Sequence, residues 1–443
     1  MKKYIFFVVG VMCTLLSHTV YAIDLNKSDA NIIGHVLEKK KGEHLPYMTV
    51  ALKGTTIGTM TDGTGHYFLK NLPEGEFILS VSAVGYKPQE RKVTLKRGKT
   101  LEENFELEED MVALDGVVVT ANRNETARRL APTLVKVVTP KLFDMTNSHT
   151  LSQGLVFQPG VRVENDCQNC GYSQVRINGM DGKYTQILID SRPIFSALAG
   201  VYGLEQIPAN MIERVEVVRG GGSALFGSSA IAGTVNIITK EPLRNSGSFA
   251  HSISNFDGSG SFDNNTTLNL SLVSSDNKMG AYIYGQNRHR SAWDSNGDSF
   301  SELPKLKNQT VGVNAYYRLS PYSKLNLEYH HMEEFRRGGN RFDLPPHIAE
   351  DANLNGSGEP GLVEQIEHSI NTGGLKFSAF SKDQKHAFNA YASAQHIVRD
   401  SYYSAYGHTT DFTGVLGVQY IYHFDKLFFM PSDLTGGVEF NHD

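Results

Sequence analysis

The chain is poor in cysteine, with three in 443 residues, and poor in proline, with fifteen. The first excludes a small scaffold stapled by disulfides. The second, with 40% hydrophobic and 20% charged residues, excludes a collagen-like rod or a disordered tail. Charge of one sign is also lacking. The formal net charge is −5, so the bulk balance carries no footprint of a nucleic-acid binder. No stretch after the N-terminus approaches the ~20 consecutive apolar residues of a spanning helix. An exported chain of this kind is either soluble or crosses a membrane as a β-barrel, whose signal per strand is much weaker. The length suits roughly two to four domains.

The N-terminus reads as an export signal. Lys2 and Lys3 precede an apolar stretch from Ile5 to Leu16, and Val20-Tyr21-Ala22 supplies a small-residue exit. That order of charged, apolar and small residues predicts a signal peptide over 1–22, cleaved after Ala22. Cys13 lies inside the apolar stretch without the small-residue context of a lipid-anchor site. Cleavage removes Lys2 and Lys3, leaving 40 of the 42 basic residues against 47 acidic ones.

Residues 31–108 read as short strands between turns. Asn31 to Val36, Thr49 to Leu52, Gly65 to Leu69 and Glu76 to Val81 are separated by Asp62-Gly63, Asn71 to Pro73 and Glu74-Gly75. Such spacing predicts a small β-sandwich. The order Leu45-Pro46, Leu52-Lys53-Gly54-Thr55, Thr61-Asp62, Gly65-His66-Tyr67, Leu72-Pro73, Gly75 and Gly85-Tyr86 resembles the carboxypeptidase-regulatory-like domain.

An acidic run from Glu102 to Asp110 ends this segment. Asp115-Gly116-Val117-Val118-Val119-Thr120-Ala121 follows, β-branched and polar-flanked, with no hairpin partner in reach. By periodicity it is one extended strand, buried or at an edge. Residues 124–242 then alternate strands with short helical or looped stretches. The clearest strands are Gln186 to Asp190, Arg214 to Gly220 and Thr234 to Thr239.

From residue 245 the texture changes to strict alternation. Leu268, Leu270 and Leu272 alternate with Thr267, Asn269 and Ser271, and Leu325, Leu327 and Tyr329 with Asn326, Glu328 and His330. Nine strands are expected, near 247–256, 264–275, 278–293, 308–320, 323–334, 366–381, 385–400, 410–424 and 434–442. Short turns at 276–277, 321–322 and 382–384 alternate with longer loops at 257–263, 294–307, 335–365 and 401–409. Tight turns at one end and long loops at the other mark an outer-membrane barrel. The connection 425–433 is longer than this alternation asks.

A long ordered match now becomes specific. Ile212-Glu213-Arg214-Val215-Glu216-Val217-Val218-Arg219-Gly220, Ser223 to Gly227 and Ala230 to Lys240 resemble the end of the plug domain of TonB-dependent outer-membrane receptors. Pro159-Gly160-Val161, Val175 to Gly179 and Ile187 to Asp190 match that domain in the same order. Gly220-Gly221-Gly222 departs from it, since the family often has Gly-Pro there. A phosphate-binding reading of Gly220 to Gly227 fails because the Gly-Lys-Ser/Thr ending is missing.

The resemblance implies a mainly β chain in several parts. They are a signal peptide (1–22), a small Ig-like β-sandwich (31–108), a TonB box and linker (113–123), an α+β plug (124–242) and the first strands of a transmembrane antiparallel β-barrel (245–443). The barrel is expected to be incomplete in this chain, because nine strands cannot enclose a plug of this size and single-chain bacterial barrels are even-numbered.

Site residues follow from the same resemblance. Asp115, Gly116, Val117, Val118, Val119, Thr120 and Ala121 occupy the TonB-box position. Arg176 and Arg219 end two plug strands and are expected to face glutamates of the barrel wall, with those partners lying beyond Asp443; buried Arg–carboxylate pairs suit a latch. Cys167 and Cys170 are the only cysteine pair after the signal. A local disulfide leads in an oxidising compartment, with a redox pair, a metal site and free thiols as the alternatives. Tyr172 in a first apical loop, and Phe195 and Tyr202 in a second over Ser191 to Gln206, are candidates to stack on a ligand.

His330, His331, His347 and His368 surround the longest loop, where haem ligation competes with ordinary lumen or loop roles. His-x-x-Glu pairs at His35, His330, His331 and His347 raise a zinc peptidase reading. Residues three apart on a strand face opposite ways, so His35 and Glu38 cannot share an ion. No catalytic constellation, resident metal or cofactor is expected.

The implied function is energised uptake of a scarce ligand: a ferric siderophore, haem or cobalamin. An oligosaccharide importer of the same fold and a non-transporting surface adhesin are the alternatives. The implied partners are the TonB energy-coupling complex, a metal-chelate ligand and outer-membrane lipid, with a surface lipoprotein as a further candidate and no nucleic acid. The N-terminal domains are expected on the periplasmic side.

Overall fold

A computed structural model of the chain describes residues 28–83, 85–109, 117–118, 126–127, 135–167, 171–192, 207–220, 226, 230–258, 260–351, 361–428 and 430–442. The expected signal peptide lies outside these residues. The described chain is mainly β, as expected.

Eight strands build the N-terminal unit: β1 (Ala30–Glu38), β2 (Thr49–Leu52), β3 (Gly58–Met60), β4 (His66–Leu72), β5 (Gly75–Ser82), β6 (Gln89–Leu95), β7 (Thr100–Glu102) and β8 (Phe105–Leu107). They form two four-stranded sheets, one of β3-β2-β5-β6 and one in which β1 pairs with β4, β7 and β8. Alternation decides which side is buried. Ile32, Val36, Val50, Leu52, Leu69, Leu79 and Val81 turn inward and close one apolar core. At roughly 1.5–3 kcal/mol per fully buried side chain, such a core offsets much of the ordering cost of so small a unit.

Val117 and Val118 were expected to lack a hairpin partner. The structure instead pairs β9 (Val117–Val118) antiparallel with β10 (Thr126–Ala127), Val118 opposite Thr126. A two-residue strand, one of whose residues is the strand-poor Ala, is too short to announce itself in sequence.

The middle segment holds β11 (Val135–Val138), α1 (Pro140–Met145), α2 (Leu151–Leu155), β12 (Val161–Cys167), β13 (Tyr172–Ile177), β14 (Thr185–Ile189), β15 (Ile212–Arg219) and β16 (Gly233–Thr239). A mixed sheet runs β11-β15-β16-β14, its β14–β16 pair parallel, and β12–β13 is a separate hairpin. Val215, Val217, Val235 and Ile237 are buried, with Leu151 and Leu155 of α2 in the same core.

Nine strands follow among the described residues: β17 (Ser246–Asn255), β18 (Phe262–Val273), β19 (Met279–Arg290), β20 (Lys305–Ser320), β21 (Ser323–Gly339), β22 (Val363–Phe380), β23 (His386–Tyr403), β24 (Tyr406–Leu427) and β25 (Met430–His442), with the short helix α3 (Pro346–Ala349) between β21 and β22. They pair antiparallel in sequence order as one sheet. Two connections differ from expectation. Residues 401–409 are not a long loop, because β23 and β24 keep pairing to Tyr402 opposite Tyr406. Residues 425–433 are not long either, because pairing resumes at Leu427 opposite Met430 after a register shift. In both places backbone pairing outlasts the apolar alternation by which a strand is recognised.

This sheet is inside out relative to a soluble one. Leu268, Leu272, Val311, Leu327, Leu375, Leu416 and Phe440 are exposed, whereas Asp263, Asn265, Gln286, Arg288, Asn308 and Thr310 are buried. An apolar outer band around a polar interior is what a lipid-facing wall requires. No helix among the described residues is long and apolar enough to cross a membrane, which says nothing about strands.

Candidate functional site

The middle segment packs against the inner face of the nine-stranded sheet, and the contact is built from both sides. Tyr282 and Tyr284 of β19 belong to the core of the middle segment. Tyr284 is admitted by its cross-strand partner Gly312, over which its ring lies. Any side chain at 312 collides with that ring. Tyr282 donates its hydroxyl hydrogen to the Asn210 carbonyl at 2.8 Å. Asn210 Nδ2 in turn donates to Asn269 Oδ1 at 3.0 Å and to the Gly285 carbonyl at 3.1 Å. Gln286 Nε2 donates to the His149 carbonyl at 3.3 Å, and His149 Nε2 meets Ser252 Oγ at 3.1 Å. Burial pushes His149 below the ordinary histidine range, and the charge of Arg288 adds to this against the opposing effect of Asp263.

One contact among the described residues is a buried ion pair. Asp190 and Ser191 both have positive φ, 47° and 66°, the geometry of a two-residue turn that reverses the chain at Ile189–Arg192. Asp190 fixes the turn by accepting from Thr239 N at 3.0 Å and Thr239 Oγ1 at 2.7 Å. Asn236 Oδ1 accepts from Ser191 N at 2.9 Å. The turn aims Arg192 at the wall, where Nη2 lies 2.5 Å from Glu328 Oε1 of β21 and 3.9 Å from Asp190 Oδ2. The Arg192 and Glu328 side chains are 6% and 14% exposed. Burial alone disfavours the guanidinium charge, but Glu328 and Asp190 outweigh it and hold Arg192 above the ordinary arginine value. Gly374, directly opposite Glu328, leaves the space that this pair occupies.

Arg192 was not anticipated. Ser191 had been expected to open an apical loop, yet Ser191 and Arg192 belong to the tight turn. The signal was Asp-Ser directly after a strand, two residue types that favour turns. The two anticipated arginines have described contacts within the plug. Arg176 pairs with Glu164, its diagonal neighbour across the β12–β13 hairpin, and with Asp181 at 3.1 Å. Both of these partners are plug carboxylates, while the wall glutamates expected for it lie beyond Asp443. Arg219 ends β15 with its guanidinium over Gly160.

The tip of the β12–β13 hairpin reaches the long-loop end of the wall. Arg336 Nη1 of β21 donates to the Gly171 carbonyl, and Pro304 lies beside Gly171. Cys167 ends β12, with Tyr172 opposite it at the start of β13. Their side chains, and Cys170, Phe195 and Tyr202 altogether, lie outside the described residues. So do Asp115, Gly116, Val119, Thr120 and Ala121. His330 and His368 are buried on the inner face of the sheet, four register positions apart, or about 13 Å at the strand rise. They do not converge on one ion. His331 faces the other way, its Nδ1 2.9 Å from Asn371 Oδ1.

The opposite, short-turn end of the wall carries the sandwich. Thr56 N donates to the Pro321 carbonyl at 2.8 Å, and Arg318 Nη2 to the Gly58 carbonyl at 3.4 Å. Tyr322, in the turn between β20 and β21, packs against the sandwich core.

Comparison with known proteins agrees with this architecture. Residues 32–119 match the CarboxypepD_reg-like domain, and residues 127–234 match the TonB-dependent Receptor Plug Domain. The vitamin B12 transporter BtuB of Vibrio vulnificus strain YJ016 is 32% identical over 229 residues, 45% of this chain and 37% of that protein. The siderophore receptor PirA from Acinetobacter baumannii shares the fold with a TM-score of 0.58 at 19% identity, over 70% of this chain and 48% of that one. The alcaligin outer-membrane receptor FauA from Bordetella pertussis gives 0.57 at 15% identity, over 73% and 49%. The chain thus spans little more than a third of this curated relative and about half of each of these solved receptors. With residues 127–234 matched in sequence and seated on the inner face of an outward-apolar antiparallel wall, the chain carries the plug domain of TonB-dependent receptors and is similar to those receptors in fold.

Proposed function

We propose that the chain works as an outer-membrane receptor for energised uptake of a metal chelate or cobalamin, and that it catalyses no reaction. The observation that carries this reading is the plug docked by Arg192–Glu328 inside a wall whose outer face is apolar. A plugged wall has use only if something opens it. The similarity to a vitamin B12 transporter and to siderophore receptors favours chelates and cobalamin over oligosaccharides. In this reading the ligand sits at the long-loop end, against the β12–β13 tip with Tyr172 and against Phe195 and Tyr202. Cys167 and Cys170 brace that tip as a disulfide.

Energy enters at Asp115 to Ala121. An extended segment can join a partner's sheet edge and gain affinity from main-chain hydrogen bonds. Among the described residues Val117–Val118 pairs with β10 on one edge, and in this reading the TonB complex pairs with the other. The sandwich bonded to the short-turn end of the wall supports a periplasmic position for this segment. Val118→Pro fixes φ and deletes one N–H in the middle of the pairing. In the full-length receptor it should abolish uptake of labelled ligand by whole cells while ligand binding stays near normal, and Val118→Ala should be mild. Unimpaired uptake by the proline variant would show that this segment does not couple energy. Normal coupling with saturating oligosaccharide competition would move the ligand assignment to glycans.

A further inference from the structure

We propose that the sandwich carries a transition-metal site formed by His35, His44 and His66, which binds a borderline divalent ion of the Zn²⁺ class. The three histidines are far apart in sequence, and the fold gathers them. His35 on β1 stands directly opposite His66, the first residue of β4. His44 lies on the segment that folds back onto β1, bridged to Leu37. Val36 N donates to the Gly65 carbonyl at 2.9 Å and Leu45 N to the Val36 carbonyl at 2.8 Å. The main chain beside all three histidines is therefore fixed, while the rings stand on the solvent side.

Ring spacing points to one ion. The centroids are 5.3 Å apart for His35–His44, 5.8 Å for His35–His66 and 4.9 Å for His44–His66. An imidazole bound through nitrogen at ~2.0–2.1 Å has its centroid about 3.1 Å from the metal, so tetrahedral partners stand about 5.1 Å apart. The observed spacings bracket that value. The rings lean on one another without yet turning one nitrogen each to a common point. Exposed His44 and His66 have room for the χ rotations that do so.

A second observation concerns the polar support behind His66. Thr64 Oγ1 donates to Asp62 Oδ1 at 2.7 Å, which leaves its lone pair for the His66 Nδ1–H at 3.0 Å. Asp62 Oδ1 also accepts from the Thr64 and His66 amides at 2.8 and 3.0 Å. This arrangement fixes the tautomer with Nε2 free, as metal-ligating histidines require. Glu38 does not compete, because it is buried on the other face with Lys41 at 3.3 Å. The donor set is three imidazoles without a carboxylate, which suits Zn²⁺, Cu²⁺ or Ni²⁺ over Mg²⁺ or Ca²⁺. Remaining positions on the ion stay open to water or to a partner's side chain.

The test uses the full chain in detergent micelles, titrated with Co²⁺ as a visible probe and then with Zn²⁺. One equivalent of Co²⁺ should develop four-coordinate d–d absorption and be displaced by one equivalent of Zn²⁺. His44→Ala and His66→Ala should each abolish the absorption, and Thr64→Val should weaken affinity ~10–100-fold. His251→Ala, on β17, should change nothing. The proposal is overturned if the wild type takes up no Co²⁺, or if uptake survives the triple change His35→Ala, His44→Ala, His66→Ala. Circular dichroism of that variant separates loss of the site from loss of the sandwich.

Discussion

Replacing Arg192 by alanine removes the cation from an ion pair buried between plug and wall and leaves Glu328 facing the gap. Breaking a buried pair from one side costs ~3–5 kcal/mol, because the remaining charge keeps its desolvation penalty. Both side chains are at least 86% shielded from solvent, so little screening discount applies. The cost falls on plug docking and not on the wall, whose strand pairing does not involve Arg192. At about 1.4 kcal/mol per tenfold, the population of undocked plug should rise by roughly two to four orders of magnitude. Hydrogen exchange of β15 and β16 in the full-length receptor reads this directly, as loss of protection in plug peptides with wall peptides unchanged. The double variant Arg192→Met, Glu328→Leu should lose less than the two single changes together, because no charge is stranded. Gly374→Ala places a Cβ 2.6 Å from Arg192 Nη1 and should act in the same direction, more weakly. Arg176→Ala should leave plug–wall docking intact, since its described partners are within the plug. If the effects of the two single changes add within ~0.5 kcal/mol, the residues are uncoupled and the docking role assigned to this pair is refuted.

Three further outcomes are expected. A tag placed at Asn296–Gly297, between β19 and β20, should be labelled on intact cells, whereas one at Asp276–Asn277 should need a permeabilised outer membrane; the reverse pattern inverts the topology. Mass spectrometry of non-reduced receptor should find the Cys167–Cys170 peptide two hydrogens lighter, and recovery of both cysteines carrying a thiol-blocking reagent would refute the disulfide. His149 resists protonation in the docked plug but not when released, so docking strength should be intact above about pH 6.5 and fall as pH drops towards its lowered value. His149→Gln should flatten that slope in plug exchange measured against pH, and an unchanged slope would assign it elsewhere.

The wall was legible because lipid and water impose a period of two that survives in single strands. Leu268-Asn269-Leu270-Ser271-Leu272 shows it without any partner, and the nine strands form in the order expected. Strand ends were less legible. From Tyr402 to Tyr406 and near Leu427 the pairing is carried by backbone groups, which every residue type supplies. The same limit hid the pairing of Val118 with Thr126.

The amino-acid order by itself determined the class of the protein: the plug signature over Ile212 to Lys240, the sandwich turns and the alternation after residue 245 are local patterns, each written in consecutive residues. Which arginine meets the wall was decided by tertiary structure alone. Arg176, Arg192 and Arg219 differ little as sequence, and only the positive-φ turn at Asp190-Ser191, held by Thr239 and Asn236, turns Arg192 outward to Glu328, 136 positions along the chain. The three histidines of the sandwich make the same point, since His35, His44 and His66 become neighbours only when β1 pairs with β4 and the chain at Leu37 bridges to His44. Periodicity records which face a residue takes on its own element, whereas a meeting of distant side chains depends on register and turn geometry, which no local pattern encodes.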